Sequence, residues 1–352
     1  MTFSEHILIW YYTRKRELPW RNTNDPYRIW LSEVILQQTR IDQGMAYYNR
    51  FIEKYPDIEA LADAPEQEVL KLWQGLGYYS RARNLLFAAQ QVVHDLNGQF
   101  PNNFADLKKL KGVGDYTAAA IASIAFNENV VVVDGNVKRV ISRMYGLQHT
   151  GLKLERAVKS LMEELIDKDH PGDFNQAVME FGAMQCTPKN PRCRDCIFRA
   201  LCYAYTNQLT DVLPLKNAVK KPALRYFYYA VIQIGQIEKA FIVKRRSADD
   251  IWKSLYDFPL IESERQISMK TLLKQHFAKW FRDEVQIIEP AYTYKHQLTH
   301  RTIKAQFFEI SVATIDHIMP EPDWEIIPAS EIFLIPIPRL IERYISDQKE
   351  KF

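Results

Sequence analysis

Four cysteines are the residues of this chain whose type and spacing most clearly predict chemistry. They follow the pattern Cys186-x6-Cys193-x2-Cys196-x5-Cys202, and the sequence contains no other cysteine. Four thiolates this close along a chain can enclose one metal centre, either an iron–sulfur cluster or a zinc ion. Zinc ribbons usually have two Cys-x2-Cys pairs, whereas this segment has one, so the spacing favours an iron–sulfur cluster.

A second candidate site surrounds Asp134. The stretch from Leu107 to Arg143 predicts a helix, a Gly112-Val113-Gly114 hairpin, a second helix, an apolar run and then Asp134 at the start of a third helix. Glycines let the backbone turn tightly, and the unpaired N–H groups at the start of the following helix suit a phosphate. Asp134 is either a helix N-cap or a carboxylate held at the edge of the core for chemistry.

Glu33 is a carboxylate inside an unusually apolar helix. Asp25-Pro26 is a strong helix start, and the helix it opens carries the sequence YRIWLSEVILQQTR. Glu33 and Gln37 are four residues apart and therefore share a helix face. Glu33 is either a solvent-exposed residue of an amphipathic helix or a buried acid whose pKa is raised by its surroundings.

Length and composition predict a globular protein of two domains. A chain of 352 residues is longer than a domain with a single hydrophobic core usually is. Of its residues, 47% are hydrophobic and 25% charged. The sequence contains no apolar run of membrane-spanning length, and its first residues lack the features of a signal peptide, so we expect a cytoplasmic protein without a membrane partner. In that compartment a disulfide framework is not expected. A net charge of +3 neither announces nor excludes a nucleic-acid partner.

The elements that must position these residues change in type along the chain. Helical patterns run from the N-terminus to about Met184, and they include helices at Ser4–Lys15, Ser80–Leu96 and Leu154–Ile166. After the basic, proline-containing segment 211–224, alternating apolar residues predict strands near residues 226–245, around Gln286 and at 301–312. A helix is predicted at 269–281 and another at 338–348. The second domain is therefore predicted to be α+β.

Several motifs together resemble the adenine DNA glycosylases of the MutY family, a branch of the helix-hairpin-helix DNA glycosylase superfamily. They are LKGVGDYTAAAIAS, VVDGNVKRV, WLSEVILQQTRI, GLGYYSRARNL and FGAMQCTPKNPRC, and the resemblance covers essentially the whole chain. It implies a mainly α N-terminal region with a six-helix barrel domain at 26–128 and an iron–sulfur cluster domain at 1–25 and 129–210. A linker at 211–224 would join these to a C-terminal α+β Nudix-like domain at 225–352.

The resemblance also implies an activity, a cofactor and roles for particular residues. In the family, the glutamate matching Glu33 protonates adenine and activates water, and the aspartate matching Asp134 stabilises the cationic sugar. Tyr116 and Asn136 match further active-site residues, and the four cysteines match ligands of a 4Fe–4S cluster. The implied reaction is the excision of adenine mispaired with 8-oxoguanine or guanine, which leaves an abasic site in base excision repair.

The implied partner is double-stranded DNA containing adenine opposite 8-oxoguanine, and we expect the protein to be a monomer. Gln38 matches a residue that enters the duplex beside the extruded adenine, and Tyr78 matches a wedge that stacks next to 8-oxoguanine. The predicted DNA- and substrate-binding residues are Trp20, Arg21, Gln37, Gln38, Thr39, Leu76, Tyr78, Gly112, Gly114, Glu180, Thr299 and His300. Basic residues in and beside the cysteine loop would meet phosphates; they are Lys189, Arg192, Arg194 and Arg199.

Tyr116 distinguishes between branches of this superfamily. Branches that also cleave the DNA strand have a lysine at this position, whose amine forms a Schiff base with the sugar. A tyrosine cannot form that bond, so we predict a monofunctional glycosylase. Lys111, near the hairpin, is the amine that could give residual lyase activity.

The C-terminal segment Ile251–Glu262 resembles the tryptophan-containing part of the family's 8-oxoguanine recognition domain. The glutamate-rich box of Nudix hydrolases is absent, so we predict recognition without pyrophosphatase activity. The family's Phe-Ser-His loop corresponds here to Leu298-Thr299-His300, which retains the hydroxyl and the histidine but not the aromatic residue. The alternative interpretation is that Thr299 and His300 sit in a plain hairpin.

Two other functions remain as alternatives. The first is a pyrimidine-directed glycosylase with lyase activity, against which Tyr116 and the C-terminal domain argue. The second is a non-catalytic iron–sulfur protein that binds DNA, in which both carboxylates are only caps or surface residues.

Overall fold

The chain forms two compact units. The computed structural model describes residues 1–217, 222–247, 250–283 and 287–349. One unit comprises Met1–Asp63 and Asn84–Ala218, and the other comprises Ala64–Arg83 and Val219–Phe352. Residues 218–221 of the predicted linker, and Gln286 where a strand is predicted, lie outside the described residues. The domain boundaries given above stay predictions.

The first unit is helical, as predicted. Its helices in chain order are α1 (Phe3–Arg14), α2 (Pro26–Leu36), α3 (Ile41–Lys54), α4 (Ile58–Ala62), α6 (Ser80–Asp95, continuing from the second unit), α7 (Phe104–Leu107), α8 (Asp115–Phe126), α9 (Gly135–Tyr145), α10 (Gly151–Leu165), α11 (Pro171–Met184) and α12 (Tyr203–Thr206). The second unit contains α5 (Glu66–Trp73).

Helices α2 and α8 are buried almost all round, which explains why their sequences are so apolar. In α2 every residue from Ile29 to Ile35 is buried, and the helix begins where the Asp25 carboxylate accepts a hydrogen bond from the Tyr27 amide. Four buried alanines give α8 a thin surface that lets neighbouring helices approach. Gly172 of α11 lies so close to α8 that a Cβ would meet the Ser123 carbonyl oxygen at 2.6 Å. Small residues at these contacts therefore bring α2, α8 and α11 around one cleft.

The second unit is built on a mixed sheet of seven described strands. Its strands are β1 (Ala223–Ile234), β2 (Ala240–Arg245), β3 (Tyr256–Asp257), β4 (Leu260–Ser263), β5 (Ile287–Gln297), β6 (Arg301–Val312) and β7 (Trp324–Pro328). The strand order is β3-β2-β1-β6-β5, with β4 pairing to β1 and β7 to β2. Among the described strand pairs, β1 and β6 are parallel and the rest antiparallel.

Both faces of the sheet are covered. The sequence of β1 is therefore a nearly continuous apolar run and does not alternate between apolar and polar residues. Phe227 and Tyr229 face one core cluster, which the C-terminal helix α14 (Arg339–Asp347) covers with Leu340 and Tyr344. Tyr228 and Ile232 face the other cluster, on the opposite side of the strand. That cluster is covered by the segment predicted as a helix at 269–281, which forms a helical turn α13 (Met269–Thr271), a π-helical stretch Leu272–Phe277 and a 3₁₀ turn Ala278–Trp280.

The predicted fold class is confirmed: a mainly helical N-terminal part precedes an α+β domain. None of the described helices is long and apolar enough to cross a membrane.

Candidate active site and thiol cluster

Helices α2, α8, α9 and α11 surround an open cleft of about 580 Å³, a volume suited to one small organic group. Glu33, Tyr116, Asp134 and Asn136 all line it, although α2 and α9 are about a hundred residues apart in the chain. The cleft thus brings together the four residues predicted to be catalytic. Their roles in a reaction stay predictions.

Glu33 is a buried acid rather than a surface residue of an amphipathic helix. Its side chain is only 8% exposed, and the Tyr116 hydroxyl donates a 2.5 Å hydrogen bond to its Oε2. Burial raises the pKa of Glu33 to about 7, with the nearby Asp134 charge adding to the rise and the Tyr116 hydrogen bond opposing it. A carboxyl group with this pKa holds a proton through much of the neutral range and can donate it.

Asp134 has a different environment, which favours its ionised form more strongly. It caps α9 by accepting a 2.7 Å bond from the Val137 amide, and its second oxygen accepts a 2.7 Å bond from Asn136 Nδ2. Burial raises the pKa of Asp134, while these hydrogen bonds work against the rise. Asp134 is therefore both an N-cap and a cleft carboxylate, and two carboxyl groups in unlike surroundings can divide into an acid and an anion.

We expect the substitution Tyr116→Phe to raise the pKa of Glu33, because it removes a hydrogen bond that stabilises the charged carboxylate. The measurement is a ¹³C NMR titration of the labelled glutamate carboxyls. Tyr145→Phe, at the exposed end of α9, is the matched control and should leave the Glu33 titration in place. A Glu33 pKa that falls or stays constant in Tyr116→Phe would contradict this assignment.

Glu180 lines the same cleft but is already paired with two arginines. It is 2% exposed, and its carboxylate accepts bonds from Arg16 Nε at 2.7 Å and from Arg21 Nη2 at 2.8 Å. Burial alone would raise the pKa of Glu180, but hydrogen bonds from both guanidinium groups outweigh it and lower the pKa to about 2. Glu180 is therefore a fixed anion that orients two cations at the cleft wall. Sequence reasoning missed Arg16, for which the sequence offers no motif.

The other predicted residues of the first unit lie at or near the cleft. Trp20, Arg21 and Thr39 line it. Gln37 donates a 3.1 Å bond to the Thr117 hydroxyl, and Gln38 is exposed with a φ of 55°. Left-handed backbone conformations of residues other than glycine cluster at functional sites, so the exposed Gln38 side chain is a candidate ligand contact.

The glycine hairpin forms as predicted between α7 and α8. Gly112 has a φ of 78°, and a Cβ there would meet Asn84 Cβ at 2.6 Å, so both conformation and space require glycine. Gly114 is the N-cap of α8, and its Cβ position is open. Val113 is buried while both glycines are exposed, so the glycine backbone is accessible beside a helix N-terminus, where a phosphate could bind.

The four cysteines line one cavity behind α9 and the 186–202 loop: Cys186, Cys193, Cys196 and Cys202. They are free thiols, and within the described residues no three Cys, His, Asp or Glu side chains are spaced to hold a single metal ion. Arg143 donates to Cys186 Sγ at 3.4 Å, which places a buried cation where thiolate charge would form. Four thiols that line one cavity beside a cation fit the donor set of an iron–sulfur cluster.

The remaining predicted residues belong to the second unit. Leu76 is buried, whereas Tyr78 is 47% exposed with a φ of 48°. Thr299 and His300 are the exposed two-residue turn between β5 and β6, as the hairpin interpretation holds. The turn is nevertheless more than a plain hairpin, because the hydroxyls of Tyr78 and Thr299 are hydrogen-bonded to each other. Leu298 packs against the core cluster of the sheet.

Comparison with known families assigns both parts of the chain. Residues 31–168 match the HhH-GPD superfamily of base excision DNA repair proteins. Residues 228–347 match the NUDIX domain family.

Individual relatives give a finer comparison. The adenine DNA glycosylase of Buchnera aphidicola (subsp. Baizongia pistaciae) is 34% identical over 306 residues, which cover 86% of this chain and 84% of the relative. The mouse adenine DNA glycosylase is 45% identical over 214 residues, covering 58% of this chain and 42% of the relative. Among solved structures, a thermostable thymine-DNA glycosylase aligns with a TM-score of 0.54 and 33% identity, over 58% of this chain and 95% of that chain.

Proposed function

This chain belongs to the adenine DNA glycosylase (MutY) family, and from that membership we propose that it excises adenine mispaired with 8-oxoguanine or guanine. The observation that carries the proposal is the buried Glu33, hydrogen-bonded to Tyr116 and placed beside Asp134 in one cleft. Base excision cleaves a glycosidic bond through an oxocarbenium-like transition state, which needs an acid for the leaving base and an anion for the cationic sugar.

The two carboxyl groups divide these tasks. Protonated Glu33 donates its proton to the departing adenine, and the resulting carboxylate then accepts a proton from the water that attacks the sugar. Asp134, held by the Val137 amide and Asn136, remains charged and stabilises the cation between these steps. Flipping adenine out of the duplex places it in the cleft. Glu180, with Arg16 and Arg21, offers fixed polar groups at the cleft wall for orienting the base.

The enzyme we propose is monofunctional, releasing adenine and leaving the strand intact at an abasic site. Residue 116 is a tyrosine, whose hydroxyl is engaged with Glu33. The residues lining the cleft, all within the described part of the chain, include no lysine that could form a Schiff base with the sugar. Both observations support hydrolysis over lyase chemistry.

The second unit supplies the recognition of 8-oxoguanine in this proposal. Tyr78 is an exposed aromatic ring on a strained backbone, and its hydroxyl is bonded to the Thr299 hydroxyl in the β5–β6 turn. An aromatic side chain linked to a polar turn can stack on a base while polar groups of the turn form hydrogen bonds with the edge of that base. Double-stranded DNA with adenine opposite 8-oxoguanine is the proposed partner, and we expect a monomer to bind it.

We further propose that Cys186, Cys193, Cys196 and Cys202 hold a 4Fe–4S cluster. The cluster would have a structural role, because its four thiolate ligands would fix a loop whose cationic side chains are exposed to solvent. These cations can meet the DNA backbone; they are Lys189, Arg192, Arg194 and Arg199.

Replacing Cys196 with alanine is expected to abolish the visible absorbance of the cluster and to reduce either soluble yield or duplex affinity, since one of four ligands is lost. Absorbance, circular dichroism and duplex binding measure these effects. Thr187→Ala, in the same loop, removes a side chain that is not a thiol and serves as the control. A Cys196→Ala protein that stays soluble and binds duplex like the parent would contradict a structural role.

The substrate assignment is tested by the release of free adenine from duplexes in which adenine lies opposite 8-oxoguanine, guanine or thymine. We expect release to be fastest opposite 8-oxoguanine, slower opposite guanine and negligible opposite thymine. Equal rates opposite all three partners would overturn the proposed recognition, and no release from any duplex would overturn the activity.

A further inference from the structure

Backbone hydrogen bonds hold the β5–β6 turn in place, one within the hairpin and one from β1. The Leu298 amide donates a 2.8 Å bond to the Arg301 carbonyl, which closes the two-residue turn. The His300 carbonyl accepts a 3.0 Å bond from the Ala223 amide at the start of β1. These backbone contacts fix the path of the chain, but they leave the charged Arg301 side chain beside an exposed turn.

Asp250 pairs with that arginine and with a second one. Its Oδ1 accepts a hydrogen bond from Arg301, and its Oδ2 accepts a 2.5 Å bond from Arg225 of β1. Burial alone would raise the pKa of Asp250, but the hydrogen bonds from Arg301 and Arg225 lower it to about 2. The carboxylate is therefore charged across the physiological range and bridges β1 to the first residue after the turn.

Described residues on both sides of Asp250 also contact one another and the sheet. Arg246 donates through Nε to the Ile251 carbonyl at 3.1 Å, and its own carbonyl accepts a 2.8 Å bond from the Ser254 amide. Trp252 of this loop packs edge-on against His296 of β5, with ring centroids 5.6 Å apart. The loop thus contacts both strands of the hairpin, through Trp252 on β5 and through Asp250 on β6.

We propose that Asp250 is a positioning residue for 8-oxoguanine recognition: by bridging Arg225 and Arg301 it holds the Thr299-His300 turn where Thr299 can meet Tyr78. This inference rests on the recognition role proposed above for that turn. Loss of the Asp250 carboxylate should affect only one substrate. A loosened turn weakens the recognition of 8-oxoguanine but leaves the rate of adenine excision opposite guanine unchanged.

The test compares single-turnover excision of adenine opposite 8-oxoguanine and opposite guanine. Asp250→Asn is expected to lower the ratio of these two rates by about 3- to 10-fold, the range for losing a partly exposed charged hydrogen-bond pair. The rate opposite guanine should stay constant, whereas the thermal unfolding midpoint should fall slightly, because the variant loses a carboxylate that is stabilised by two arginines. Arg301→Gln should lower the ratio similarly, and the double variant no further, because both act through one contact. Glu238→Gln, an exposed acid between β1 and β2, is the control.

Hydrogen–deuterium exchange supplies a readout that needs no DNA. Amides of residues 298–302 should exchange faster in Asp250→Asn than in the parent or in Glu238→Gln. A parent with no preference for 8-oxoguanine would overturn both the recognition role and this inference. A parent with a clear preference that Asp250→Asn retains in full, with unchanged exchange, would overturn the Asp250 inference alone. Equal losses opposite both bases would show a merely structural residue and also overturn it.

Discussion

Replacing Glu33 with glutamine is expected to lower the single-turnover rate of adenine excision by about 10²- to 10⁴-fold, the usual contribution of a general acid. Glutamine keeps the size of the side chain and can still contact Tyr116, but it has no proton to give at neutral pH. Because Glu33 is buried, the parent should also lose activity as pH rises through its pKa of about 7, since only the protonated form donates. The pH–rate profile of the Glu33→Gln variant should lack this fall in activity at alkaline pH.

Duplex binding separates a loss of chemistry from a loss of fold. Glu33→Gln should bind a duplex containing adenine opposite 8-oxoguanine with parental affinity, because the charge it removes is absent from the protonated carboxyl. Glu53→Gln, on the exposed side of α3, is the matched control and should excise adenine normally. A Glu33→Gln enzyme that excises at the parental rate would show that the acid lies elsewhere.

The second large effect is expected for Asp134→Asn, with a rate loss on the order of 10²- to 10³-fold, as for removal of one preorganised electrostatic group. The variant loses the anion that, in the proposed mechanism, stabilises the cationic sugar. A second readout has a defined sign: the Asp134 charge raises the pKa of Glu33, so its removal should move the alkaline limb of the rate profile to lower pH. Tyr116→Phe should move the same limb in the opposite direction.

Asp134 is also an N-cap, so its structural contribution needs its own control. Asparagine caps helices nearly as well as aspartate, so Asp134→Asn should change the unfolding midpoint little. Asp57→Asn makes the same substitution at the N-cap of α4, where the carboxylate accepts a 2.8 Å bond from the Ala60 amide. A loss of activity in both variants would indicate that capping, rather than charge in the cleft, matters.

Local sequence signals located the helices that carry the cleft, but they could not decide how Glu33 is used. The Asp25-Pro26 start and the glycine hairpin act over a few residues, so they can be recognised from sequence. Whether Glu33 faces solvent or core depends on α8 and α11, which reach it only in the folded chain. Its burial, and the Tyr116 hydrogen bond across 83 positions, became visible only in the structure.

Other features lacked any local signal. Arg16 pairs with Glu180 across 164 positions, and a lone arginine beside the Leu18-Pro19-Trp20 segment does not indicate a buried ion pair. The parallel pairing of β1 with β6 was likewise not predicted, because their apolar runs identify strands but not partners. The short strands β3, β4 and β7 were missed because two to five residues carry little periodicity.

The most direct test of the account is strand scission of duplexes with one adenine opposite 8-oxoguanine, read with and without hot alkali. Breaks that appear only after alkali treatment are predicted, because in the proposed mechanism Glu33 and Asp134 release the base by hydrolysis and Tyr116 offers no amine to cleave the strand. Breaks without alkali would contradict the monofunctional mechanism and would direct attention to Lys111. The absence of breaks in protein that binds the duplex and carries an iron–sulfur chromophore would contradict the assignment of a catalytic cleft.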